Sequence, residues 1–112
     1  MYIGEASKNT GLSIKAIRFY EKKGLINQPE RVGRYRVYNE TDIELLILIK
    51  EAKALGVTLS QLKGVIAYTD GKVDWANIKI FLSDVRIQLV NQIDDLKQKI
   101  DLLDQCYNQI TP

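Results

Sequence analysis

The sequence predicts a mostly α-helical fold, with four short helices, one small β-hairpin among them, and a single very long C-terminal helix. Three observations carry that expectation. Apolar residues recur at helical spacing in short runs closed by glycine. The segment RVGRYRVYNE, residues 31 to 40, alternates with a period of two around Gly33. From about Ala76 to Asn108 there is neither proline nor glycine, and the apolar residues fall into one seam.

Composition sets the frame. At 112 residues, 46% hydrophobic and 27% charged, the chain has material for one small core with an appendage, not for two independent cores. It has no histidine and one cysteine, which sets aside imidazole acid–base catalysis, histidine-based metal binding and an intrachain disulfide framework. No phosphate-binding glycine loop and no nucleophile–base pair appears, so an enzyme is not expected. The expected cofactor and metal content is none. The absence of a signal-like start and of an apolar run of about 18 residues gives a cytoplasmic expectation with no membrane partner.

The elements follow in order. Ile3, Ala6 and Ser7 make a first short helix over about residues 3–9, closed at Asn9-Thr10-Gly11. Ser13 is an N-cap, after which Ile14, Ile17 and Phe19 with Leu25 supply the apolar positions of a second helix that Gly24 stops. Two short helices around so tight a turn make a helix-turn-helix. The alternation about Gly33 then reads as a hairpin, a wing. Asn39 and Asp42 make a capping box that opens a third helix, whose interior ELLILIKEAKAL is core and whose end is Leu55-Gly56. Thr58 and Gln61 cap a fourth helix running to about Ala67, and Tyr68-Thr69-Asp70-Gly71 breaks it. Residues 1–71 therefore form a winged helix-turn-helix domain, and residues 72–112 a helical segment with a short tail.

In that segment Leu82, Val85 and Leu89 step by three and four. A second step of four reaches Ile93, a stutter, and Leu96, Ile100, Leu103, Tyr107 and Ile110 continue at 3-4 spacing. A helix of this length runs roughly 45–50 Å, more than the N-terminal unit can cover. Its seam is expected to pair with a second copy of the chain, with Leu82, Val85, Leu89, Ile93, Leu96, Ile100, Leu103 and Tyr107 at the interface.

Charge is unevenly placed. Residues 1–40 hold eight Lys/Arg against four Asp/Glu, whereas residues 41–112 hold eight against ten. A helix-turn-helix offers its second helix to the major groove of double-stranded DNA, while flanking cations hold phosphates. Lys15, Arg18 and Tyr20 are placed for that role: a guanidinium forks onto phosphate or guanine, an ammonium adds a point charge, and a phenol bonds a phosphate oxygen. Arg34, Tyr35 and Arg36 of the wing would reach the flanking backbone or the minor groove.

The runs IGEASKNTGLSIKAIRFYEKKGLI and RYRVYNETDIELLILIKEAKALGVTLSQLKGVI resemble the winged-helix DNA-binding region of the MerR family of bacterial transcription regulators. The resemblance covers about residues 3–66. It implies a homodimer, joined by an antiparallel coiled coil of the long helices, that binds a pseudo-palindromic promoter operator alongside RNA polymerase. Effector-bound members of that family bend and untwist the duplex, which spends binding energy on deformation. Residue by residue, Arg18 and Tyr20 match the arginine and aromatic of the family's recognition helix. Tyr35 and Arg36 match its wing, and Lys15 and Lys63 stand where its cations vary. The family's wing usually has glycine directly before the tyrosine; here Arg34 holds that place.

The effector is not legible. Metal-sensing relatives use cysteines near the start of the long helix and in a loop after its end, whereas here the start reads KVDWANIK and no cysteine-bearing loop follows. Two residues remain as candidates for effector or redox sensing. Cys106 reads either as a small apolar residue at a helix interface or as a reactive thiol. Trp75 reads either as a packing staple between the two parts of the chain or as the wall of a ligand pocket. The alternative to a regulator with an effector is an architectural or excisionase-like DNA binder without one.

Overall fold

The computed structural model describes residues 1–112, in two units, Met1–Asp74 and Trp75–Pro112. The first unit holds α1 (Ile3–Thr10), α2 (Ile14–Lys22), a hairpin of β1 (Glu30–Val32) and β2 (Tyr35–Val37), α3 (Glu40–Ala54), α4 (Leu59–Val65), and a second hairpin of β3 (Tyr68–Thr69) and β4 (Lys72–Val73). The second unit is one helix, α5 (Trp75–Asn108), with a short tail.

Each helix of the first unit begins and ends for a local reason. Both expected capping boxes form: Asp42 N–H donates to Asn39 Oδ1 at 2.8 Å while Asn39 N–H donates to Asp42 Oδ2 at 3.0 Å. Thr58 and Gln61 exchange the same pair at 3.1 and 2.9 Å. Such reciprocal caps satisfy donors that water would otherwise have to serve, and each contributes about 1 kcal/mol. α2 and α3 both end in a Schellman motif. Leu25 N–H reaches Tyr20 O and Gly24 N–H reaches Glu21 O, each at 3.0 Å; Val57 N–H reaches Ala52 O and Gly56 N–H reaches Lys53 O, each at 3.1 Å. Gly24 and Gly56 have φ of 78° and 89°, the left-handed conformation this ending requires. The residue after each glycine, Leu25 or Val57, turns back into the core.

That core joins Ala6 of α1, Ile17 of α2, Leu25, Ile26, Tyr38, the Leu45, Leu46, Ile49 and Ala52 stripe of α3, and Leu62 of α4. α1 lies against both α2 and α3. The expectation that the interior of α3 is core holds for that stripe, with Ile43, Ile47 and Leu48 half-buried beside it.

Two expectations are corrected. Residues 68–71 do not end α4, which stops at Val65 with Ile66 already extended; Asp70 and Gly71, with φ of 52° and 76°, instead turn β3 back onto β4 with Tyr68 opposite Val73. Two consecutive left-handed residues are what a type I′ hairpin turn needs, and Asp-Gly is its sequence signature. The apolar face of α2 also differs. Ile14 and Phe19 are 40% and 42% exposed, and Ile17, Tyr20 and Glu21 are the residues turned inward. At 3.6 residues per turn, positions 17, 20 and 21 share a face and 19 cannot join it.

α5 has 34 residues, about 50 Å of helix. Leu82 and Val85 are half-buried, and the seam from Leu89 through Ile93, Leu96, Ile100, Leu103 and Tyr107 is exposed along the length of the helix. Within the helix, Lys99 pairs with Asp95 at 3.0 Å and Gln98 donates to Asp94 at 3.0 Å, both off the seam. No helix is long and apolar enough to cross a membrane.

Candidate nucleic-acid interface

The turn that sets α2 is built from small residues. Gly11, with φ of 74°, closes α1 by donating its N–H to Ser7 O at 3.0 Å, and the Thr10 hydroxyl donates to Ala6 O at 2.8 Å while accepting from Leu12 N–H at 3.2 Å. Lys50 of α3 reaches across and donates its ammonium to Thr10 O at 3.3 Å, a cation at the negative end of α1. A side chain at Gly11 would collide with that ammonium. Ser13 then caps α2, accepting Ala16 N–H at 3.0 Å.

The wing is fixed by its turn and by one ion pair. Val32 stands opposite Tyr35, so Gly33 and Arg34 are the two turn residues. Only Gly33 has a positive φ, 62°, the arrangement of a type II′ turn with glycine first. Arg34 occupies the second position and is exposed at the wing tip. Arg36 points back toward α2: its Nε lies 2.7 Å from Glu21 Oε1, with the Glu21 side chain 6% exposed and that of Arg36 33% exposed. The Tyr38 hydroxyl makes a longer contact of 3.5 Å to Glu21 Oε2. Burial raises the Tyr38 pKa, the Glu21 charge adds to the rise, and Arg36 opposes it, so the phenol stays a donor.

The structure sorts the expected contact residues into groups. Arg18, Arg34, Tyr35 and Arg36 come together with Tyr2 and Ile3 around one cleft of about 100 Å³. The Tyr2 and Tyr35 rings lie 5.7 Å apart across it. Three arginines line that cleft, and one carboxylate, Glu21, pairs with one of them. The uncompensated charge suits a phosphate, which takes forked guanidinium donors and tyrosine hydroxyls alike. Lys15 lies elsewhere, in a wider groove of about 310 Å³ with Ser13, Phe19, Lys53 and Leu59. Lys63 is near neither; its Cε approaches Gly24 at the end of α2, within 4.0 Å of where a Cβ would stand.

Tyr20 lines that same groove beside Lys15 but is turned mostly inward. It is 8% exposed, because it follows Ile17 by three on the inward face, and its ring meets Phe19 edge-on at 5.9 Å. Phe19 takes the outer position instead, with the Lys23 ammonium 5.5 Å from its ring centroid. Tyr2 and Lys53 escaped the sequence reading. Tyr2 precedes α1 with no pattern to mark it, whereas Lys53 carried a signal, being a cation in the last turn of α3. Cys106 is exposed, and Trp75 is the 40%-exposed first residue of α5.

The model of the MerR HTH family of regulatory proteins matches residues 1–69. The chain belongs to the MerR family. Heavy metal-dependent transcription regulator 2 of Rhizobium meliloti is 37% identical over 101 residues, covering 89% of this chain and 65% of the relative. A probable heavy metal-dependent transcriptional regulator of Haemophilus influenzae is 35% identical over 118 residues, covering all of this chain and 92% of the relative. Among solved structures, HiNmlR, a MerR family regulator lacking the sensor domain and bound to promoter DNA, superposes with a TM-score of 0.62 at 25% identity, over 94% of this chain and 81% of that one. The MerR relatives are transcription regulators, not enzymes.

Proposed function

We propose that this MerR-family chain is a sequence-specific DNA-binding transcription regulator. It acts in the bacterial cytoplasm as a homodimer on a pseudo-palindromic promoter operator, where RNA polymerase is its further partner. The observation that carries the reading is the arginine cleft. Arg18 of the recognition helix and Arg34 and Arg36 of the wing converge on one anion-sized space, and the Glu21–Arg36 pair holds helix and wing in register. Such a cleft grips the backbone of a duplex at one point and so orients α2 in the adjacent major groove. The exposed seam of α5 supplies a reason for two copies, and two copies supply the two-fold symmetry of the operator. Bending and untwisting of that operator, in the manner of the family, would use binding energy to realign the promoter.

The effector is a separate matter. The Rhizobium and Haemophilus relatives are named as heavy metal-dependent, and a thiolate metal centre needs several soft ligands. This chain offers one cysteine, and no group of three His, Cys, Asp or Glu side chains is gathered at one place within it. The residues present do not fit a metal centre of that kind.

The reading is tested by selecting bound sequences from a random duplex library with the purified protein. Recovery of an inverted repeat with a central spacer is the expected result. Recovery of single half-sites, or of loosely preferred bendable DNA, would replace the regulator with an architectural binder.

A further inference from the structure

The exposed face of α2 is not uniformly charged. With 100° between residues, Arg18, Lys22, Lys15 and Phe19 fall within an arc of about 100°, opposite Ile17, Tyr20 and Glu21. The burial pattern follows that division, with the first four exposed and the last three buried. Phe19 is the one uncharged side chain in the outer arc; Ile14, also exposed, lies beyond its edge. An aromatic ring left in water among cations forfeits the burial a core position would have given it.

The ring is also held in place. Tyr20, itself buried, braces it edge-on at 5.9 Å, and the Lys23 ammonium sits 5.5 Å from its centroid. Lys15 stands one helical turn before it, so the two side chains are neighbours, and both line the groove of about 310 Å³ together with Ala16, Tyr20 and Leu59. A cation beside an apolar ring has one close counterpart in the major groove. Thymine presents there an O4 acceptor next to its C5-methyl group, and that methyl is the only apolar feature among the four bases.

We propose that Phe19 is a specificity-determining residue that reads a thymine methyl in each half-site, with Lys15 beside it over the O4 edge. The inference rests on the operator-binding reading above, and adds to it a base preference located at one side chain.

The test uses the full-length chain and the duplex recovered by selection. Each thymine is replaced in turn by deoxyuracil, which removes the methyl and keeps O4. Affinities are measured for the wild type, Phe19→Ala and Phe19→Leu, with thermal melts of all three proteins. For the wild type, one symmetric pair of replacements is expected to weaken binding by about fourfold per half-site, the effect of one buried methyl group. Phe19→Ala is expected to bind the thymine and deoxyuracil duplexes equally, and Phe19→Leu to retain part of the difference. The salt dependence of binding should be the same in all three, since no phosphate contact is lost. A wild type that binds its inverted repeat but is indifferent to every deoxyuracil replacement overturns the role of Phe19 and leaves the operator reading standing. So does a Phe19→Ala protein that still discriminates. A wild type that recovers no preferred sequence overturns both.

Discussion

Glu21 Oε1 lies 2.7 Å from Arg36 Nε, which couples the recognition helix to the wing through a nearly buried carboxylate. Neither element is stiff alone. α2 has nine residues, and the β1–β2 hairpin has three paired residues on each strand, well below what either needs to persist in water. The ion pair therefore sets a geometry as well as contributing stability. Glu21→Gln keeps an acceptor for Tyr38 and removes the charge facing Arg36. The expected loss is about 1–2 kcal/mol, the low end for breaking a charged hydrogen bond because Arg36 is partly solvated. Denaturant unfolding measures it, and a midpoint identical to wild type would mean that the pair contributes nothing. Operator affinity should fall by more than the number of lost contacts suggests, because the cleft loses its shape.

Arg18→Ala removes a guanidinium from the cleft without touching the core. Binding should weaken about equally on preferred and unrelated duplexes, with the slope of log K against log salt reduced by about 1, the signature of a phosphate contact. A loss confined to one base position would instead place Arg18 on a guanine. Dimer mass should not change.

The pH dependence of stability offers a third check. Burial raises the pKa of Asp42 above the ordinary 3.8; the hydrogen bond from Asn39 N–H opposes that rise, and the Glu21 charge adds to it. A carboxyl raised in the folded state binds its proton more tightly there than in the unfolded chain. Its contribution therefore favours folding at low pH and declines as pH climbs from about 3.8 through the folded-state value. Asp42→Asn retains an oxygen for the Asn39 N–H and has no charge to desolvate. Its stability relative to wild type should rise with pH across that window and then level off. A constant difference between the two proteins at every pH would show that Asp42 titrates alike in both states.

Much of this was legible in the chain. Caps and glycines act through neighbours in sequence, so Asn39/Asp42, Thr58/Gln61, Gly24 and Gly56 could be read directly. The type I′ turn at Asp70-Gly71 was equally local, but two-residue strands such as Tyr68-Thr69 and Lys72-Val73 are too short for alternation to register. The exchange of places between Phe19 and Tyr20 had a different cause. Both are aromatic, and only the angle from Ile17 says which one turns inward. The role of Arg36 could not be seen at all: its partner Glu21 is fifteen positions away, and an arginine in a basic hairpin looks like every other. Site residues carry this kind of ambiguity because a cation facing phosphate and a cation facing a buried carboxylate are the same residue type.

The seam of α5 makes the last prediction. Leu96 and Leu103 are 58% and 64% exposed on a helix that offers them no partner of its own. A seven-residue separation puts both on one line along the helix, in step with Leu89, Ile93, Ile100 and Tyr107. Burying a leucine against a second copy contributes roughly 1.5–3 kcal/mol per side chain, and an antiparallel pair repeats every such contact by symmetry. Two glutamates at those positions would place unpaired charges in the same seam, a cost of several kcal/mol for each that is buried. Leu96→Glu combined with Leu103→Glu should therefore convert a dimer of about twice 12.8 kDa to monomers in sedimentation equilibrium. The melting of the first unit should be nearly unchanged, because its core uses none of these residues. Operator affinity should drop to that of a single half-site, since each specific contact set would have to bind without its tethered copy. A dimer that survives both substitutions would place the interface on a different face of the chain.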